Sequence, residues 1–308
     1  KIDFNRTIKR AYTGKSTPLS MDKLERAMAR TTRSAMNDPL LGMQWHLINN
    51  GDMFLKDDCI KSVKDADVQV EEAWKKTTGN NQIIVAVLDE GVYYNHPDLK
   101  ANMWVNEGEV ELSTEDNDGN GYAGDIHGYN FVKDSGNVTA DAHGTHVAGV
   151  IAGKDDVITG VAPNAQLAIM KIFSDTVDTA RTSWILAALE DCVTLGVDVI
   201  NMSIGTACGF SRNSDAEIVS GVYDRIRERG ISLVVAASNS FNSAYSSDKN
   251  GNLPLTSNPD SATVGSPSTY GASLSIASID GVPTHYIKFG DRIIYYIERP
   301  NTFSSFRK

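Results

Sequence analysis

Two segments of the 308-residue sequence carry side chains whose types and spacing suit proton chemistry, and a third suits cation binding. Asp89 ends the apolar run IIVAVL at 83–88 and is followed by Glu90-Gly91, so a carboxylate stands where a buried strand gives out and can accept a hydrogen bond. The segment Asp141-Ala-His143-Gly-Thr-His146-Val-Ala-Gly149 sets His143 at the start of a small-residue helix that can pack tightly under a sheet. Taken singly, each has an ordinary reading: a turn aspartate for Asp89, a cap or satisfied core group for His143. His146, one turn later and facing the same side, is assigned that structural role. The third segment, Glu115 to Asp125, is acidic and glycine-rich, with oxygen donors at alternate positions.

That alternation resembles the first half of an EF-hand loop. It offers Asp116, Asp118 and Asn120 as side-chain ligands, Tyr122 through its carbonyl and Asp125 as the closing group, with calcium as the expected cation. A solvated acidic turn is the ordinary alternative. Carboxylates crowded into so short a stretch repel one another unless a cation sits between them.

These residues need elements to position them. Apolar runs at 83–88, 167–173, 197–204, 231–237 and 273–278 read as strands buried on both faces. Helical spacing runs through Trp184, Ala188, Cys192 and Leu195, and again through Ile218, Val222 and Ile226, with Gly230 placed to stop the second helix. Strand–helix–strand order predicts a mostly parallel sheet with helices on both faces, a three-layer α/β fold. In such sheets active residues gather at the carboxyl ends of the strands, where Asp89, Ser203-Ile204-Gly205 and Asn239 all fall. A short helix is also expected over Val68 to Trp74, and another in MDKLERAMAR at 21–30.

Composition removes several classes. A net charge of −10, with 39 acidic against 29 basic side chains, argues against a nucleic-acid partner. Three cysteines, Cys59, Cys192 and Cys208, contain no CxxC pair and point to neither zinc nor a disulfide framework. No run of eighteen apolar residues predicts a membrane span, and the opening KIDFNRTIKR has no apolar core of a signal peptide.

The order of an aspartate after VAVLD, the HGTHVAG helix, the DVINMSIG strand and the VVAASN strand resembles the subtilisin-like serine peptidases over roughly residues 37–280. The resemblance implies that Asp89 orients and charge-stabilises His143, that His143 is general base and then general acid toward a serine, and that Asn239 donates to the oxyanion. It also implies that Ser203-Ile204-Gly205 pairs with the backbone of a peptide or protein substrate. Thr182-Ser183-Trp184-Ile185 would begin the helix just past the opposite substrate-pairing strand. Calcium in a DxDGNGY loop and a secreted or cell-surface location fit the same family. Two positions depart from its pattern: Ser238 stands where glycine is usual, and Glu90 stands where a small residue is common, adding a negative charge beside Asp89.

The family's GTSMAxP serine motif is missing from these 308 residues. Asn301 to Phe306 resembles the FSSxG strand that precedes it, so the expectation is that the serine belongs to a C-terminal segment or chain beyond this one, without which the segment is inactive. The domain reading is an N-terminal arm or pro-segment remnant over 1–38, an incomplete peptidase domain over 39–280, an insertion stub over 281–300 and the start of the C-terminal part over 301–308. Two readings from other classes stand beside the peptidase. One is a pseudopeptidase or peptide-binding module; the other is a structural calcium-binding domain, which leaves His143 without a role.

Overall fold

The structure, a computed structural model, describes residues 36, 38–55, 60–111, 113–140, 142–156, 159–177, 179–206, 214–237 and 262–277. It also describes the strands 7–10, 242–243, 284–289, 292–297 and 304–305. The helix expected at 21–30 and the residue Asn239 lie outside the described residues. The strands that position the site are β1 (Thr7–Arg10), β2 (Ile84–Asp89), β3 (Gly128–Asn130), β4 (Gln166–Lys171), β5 (Ala180–Arg181), β6 (Val199–Met202), β7 (Ile204–Gly205), β8 (Ser232–Ala236) and β9 (Ser273–Ile276). The helices are α1 (Val70–Trp74), α2 (His143–Ala152), α3 (Thr182–Leu195) and α4 (Ser214–Glu228).

Six strands form one parallel sheet in the order β9-β8-β6-β2-β4-β3. Side chains alternate across a strand, and β2 shows what each face meets. Ala86 and Leu88 pack with Ile185, Ala188 and Leu189 of α3 and Val222 and Ile226 of α4. Val85 and Val87 pack with Ala148 and Ala152 of α2, together with Leu167 and Ile169 of β4. The result is three layers, with α2 on one side of the sheet and α3 and α4 on the other. Each wholly buried Leu or Ile in these layers contributes about 1.5–3 kcal/mol.

Both helix stops follow from glycine. Gly196 (φ 68°) caps α3, its N–H bonding the Cys192 carbonyl, and Gly230 (φ 76°) ends the turn after α4. Met36 is buried with Leu41, Leu47, Val70 and Trp74. At the other end of the chain, β10 (Thr284–Phe289) and β11 (Arg292–Ile297) pair antiparallel, and β12 (Ser304–Ser305) adds to β11. A separate three-stranded sheet, β5-β1-β7, lies outside the main one.

Candidate active site

Asp89 is the last residue of β2 and shares the alternation of Val85 and Val87, so its side chain lies on the α2 face. His143 is the first residue of α2. The two meet 54 residues apart in sequence, His143 Nδ1–H donating to Asp89 Oδ1 at 2.7 Å. Their side chains are 6% and 0% exposed, so little water competes for the bond. Close approach depends on glycine, since a Cβ on Gly144 would sit 2.1 Å from the Gly91 carbonyl oxygen and 3.2 Å from the Asp89 Cβ. Burial lifts the Asp89 carboxyl above its ordinary range, while the bond from His143 and the N–H of Glu90 (2.8 Å) pull it back.

Glu90, the extra charge noted in the sequence, is placed to do more than be tolerated. Its Oε1 accepts the main-chain N–H groups of His143 at 2.6 Å and Ala142 at 3.2 Å. Ala142, at the N-cap of α2, has no side chain that could do this. Lys171, at the end of β4 and in register with Asp89, is 1% exposed. Its Nζ donates to the carbonyl of Glu90 at 2.5 Å, the carbonyl of Thr139 at 3.3 Å and Asp175 Oδ1 at 2.6 Å. A lysine inside the apolar run LAIMKIF was the one signal of it in the sequence.

His146 departs from expectation. It is exposed rather than a buried partner of His143, because α2 buries the face carrying Gly144, Ala148 and Ala152, and at about 100° per residue His146 falls on the opposite side of the helix.

Ser203 is half-buried, its Oγ accepting Asn201 Nδ2 at 3.0 Å, and it leads into β7. Thr182 opens α3 directly after β5. Between β5 and β7 runs β1, antiparallel to both, with Ile8 opposite Ala180, Lys9 opposite Gly205 and Arg10 opposite Ile204. The segment Thr7–Arg10 thus lies as an added strand between the two strands read as substrate-pairing.

The acidic loop regroups its residues. Ligand oxygens of Glu109, Asp118 and Asp125 lie within 4.8 Å of one another. Asn106 Nδ2 donates to Asp118 Oδ2 at 2.8 Å and Asp125 Oδ1 at 2.9 Å, and Asn120 Nδ2 donates to Asp125 Oδ2 at 2.9 Å. Asp116 lies beside Asp118. Its carboxylate accepts the N–H groups of Gly119, Asn120 and Gly121, which hold it below the usual carboxylate range. The Tyr122 ring packs against Tyr129 and Phe131. Asp125 is fully buried, and burial raises its carboxyl. Glu109 and Asn106 had no spacing signal in the sequence.

The profile of the subtilase family, Peptidase_S8, matches residues 80–306. Subtilisin-like protease 1 of Plasmodium berghei is 30% identical over 71% of this chain and 33% of its own length. The PI-type proteinase of Lactococcus lactis subsp. cremoris is 31% identical over 64% of this chain and 11% of its own length. The chain therefore spans a third or less of these two relatives. Among solved structures, the serine protease of Aeromonas sobria, in a complex with a chaperone, superposes with a TM-score of 0.57 at 23% identity, covering 82% of this chain and 40% of that one. With the parallel sheet, the paired Asp89 and His143 and this profile across most of its length, the chain belongs to the subtilase family.

Proposed function

We propose that this chain forms most of a serine endopeptidase domain of subtilisin type, which hydrolyses peptide bonds with Asp89, His143 and a serine outside these 308 residues. The observation that supports it most is the buried 2.7 Å bond between His143 Nδ1 and Asp89 at the carboxyl end of a central strand. Asp89 keeps the Nδ1–H tautomer and stabilises the imidazolium. His143 takes the proton of the serine hydroxyl as it attacks the carbonyl carbon, then passes it to the leaving amine. Asn239 donates its side-chain N–H to the oxyanion.

The substrate is an extended peptide that adds as a strand along Ser203-Ile204-Gly205. The arm segment Thr7–Arg10, paired between β5 and β7, supports this mode of binding. In this reading that segment is an intramolecular occupant of the groove.

Calcium is the proposed cofactor of the acidic loop. Glu109, Asp118 and Asp125 fit it, being three hard oxygen donors already gathered. Asn120 and the Tyr122 carbonyl are further donors, and Asp116 shapes the turn. The ion supplies charge neutralisation that keeps the loop wrapped. A secreted or cell-surface setting suits such a protein.

The test is a longer gene product treated with a serine-directed fluorophosphonate. Labelling that disappears in His143→Ala supports the reading, and absence of labelling in the correctly processed full-length protein overturns it. A second reading, a peptide-binding module without turnover, is favoured by the strand Thr7–Arg10 paired between β5 and β7; it predicts peptide binding with no labelling.

A further inference from the structure

We infer that Glu90 and Lys171 form a buried clamp that positions His143 against Asp89, Glu90 acting through the main chain of His143 and Lys171 through the main chain of Glu90. The inference rests on the peptidase reading for its purpose, but its geometry stands by itself.

Glu90 is bonded to both members of the pair. Its N–H donates to Asp89 Oδ1 at 2.8 Å, the same oxygen that accepts His143 Nδ1, and its Oε1 accepts the His143 N–H at 2.6 Å. These three hydrogen bonds close a ring through Asp89, His143 and Glu90. The ring fixes where α2 begins relative to the end of β2, and hence the position from which the imidazole must reach Asp89. A small side chain at position 90 could not span the gap to the helix, so the device depends on the departure from the family pattern at this residue.

Lys171 locks the ring from beneath. It extends from the adjacent strand on the same face as Asp89, and its three ammonium hydrogens have three acceptors: the Glu90 carbonyl, the Thr139 carbonyl and Asp175. Thr139 belongs to the segment leading into α2, so one cation ties the loop after Asp89 to the approach to His143. A buried ammonium is costly unless fully satisfied. Asp175 supplies the opposite charge and is itself held by Lys133, whose ammonium, with that of Lys171, keeps its carboxyl below the usual range. Neither Glu90 nor Lys171 is assigned contact with substrate.

The experiment is proton NMR of this chain, following the low-field resonance of the His143 Nδ1 proton, identified by its loss in His143→Ala. In Glu90→Ala and Lys171→Met the resonance is expected to move upfield and broaden through faster exchange. Glu90→Gln keeps the Oε1 acceptor, and Lys171→Arg keeps the donors; both are expected to retain it. An unchanged resonance in folded Glu90→Ala or Lys171→Met overturns the inference, as does equal loss in Glu90→Gln and Glu90→Ala. Should Glu90→Ala fail to fold, Glu90→Asp decides, because one methylene less withdraws the carboxylate from the His143 N–H, and an undisturbed signal there is equally fatal. The resonance is read without any nucleophile, so failed fluorophosphonate labelling counts against the peptidase reading alone.

Discussion

Asp118 and Asp125 share one donor, the Nδ2 of Asn106, at 2.8 and 2.9 Å. An amide thus bridges two carboxylates that Glu109 also approaches. Calcium is expected to bind here and raise the melting temperature, contributing about 2.7 kcal/mol when its concentration is a hundred times Kd. Asp118→Asn and Asp125→Asn should remove the calcium-dependent shift, read by thermal unfolding and by terbium luminescence. Binding without loss in either variant contradicts the assignment.

Asp191, on α3, is 2% exposed, and neither of its carboxyl oxygens has a hydrogen-bond partner among the described residues. Burial, with the charges of Asp125 and Asp118, pushes it up to about 7. The folded protein therefore holds this proton where the unfolded chain has released it, so stability is lost as pH rises from about 4 to 7. Asp191→Asn should stabilise the calcium-free protein at pH 7–8 by on the order of 2–4 kcal/mol and have little effect near pH 4. Urea unfolding at both pH values checks the sign, and calcium should shrink the difference by neutralising the neighbouring charges.

Asp89→Asn tests the orienting bond. It replaces an acceptor facing His143 Nδ1 with a group that can donate, favouring the wrong tautomer. In a protein that carries the proposed serine, the rate of fluorophosphonate labelling is expected to fall by about 10²–10⁴-fold, the range that general-base catalysis supplies. Labelling at an undiminished rate would remove Asp89 from the proposed mechanism.

The strand Thr7–Arg10 should compete with added peptide. Lys9→Pro deletes a backbone donor from a strand paired on both sides and cannot continue the ladder. An extended peptide is expected to bind the variant roughly tenfold more tightly or better, because a tethered competitor acts at high effective concentration. Fluorescence anisotropy with a labelled peptide reads this, and equal affinity would mean that the segment does not occupy the groove.

Gly144→Ala puts a methyl against the Gly91 carbonyl at a helix that cannot retreat without stretching the Glu90 bonds. A loss of about 1–3 kcal/mol is expected in chemical denaturation, as for other overpacked sites. A neutral substitution would show that α2 can move away from β2.

Much of this architecture is local information. Continuous apolar runs specified β2, β4, β6, β8 and β9, although β9 is an edge strand whose Leu274 and Ile276 are exposed rather than buried on both faces; helical spacing specified α3 and α4, and both stopped where Gly196 and Gly230 permit a left-handed turn. Strand periodicity also explains why Asp89 was legible: the last residue of a buried strand must emerge at a sheet edge. The short motifs around Asp89 and His143, and the oxygen-rich loop at 115–125, stand out by residue type and close spacing.

The partners of those groups were decided by the path of the chain. Glu90 reaches a main-chain N–H 53 residues away, and Lys171 a carbonyl 81 residues away, distances over which periodicity says nothing. The same holds for Glu109 joining Asp118 and Asp125, for Asp191 buried near them, and for the placing of Thr7–Arg10 between β5 and β7. Helix rotation turned His146 outward although its motif suggested otherwise. The sequence determined which elements form and which side chains can do chemistry, because those depend on local backbone geometry and burial. Tertiary structure alone decided which of those side chains share a hydrogen bond, because that requires bringing remote segments within 3 Å or so of one another.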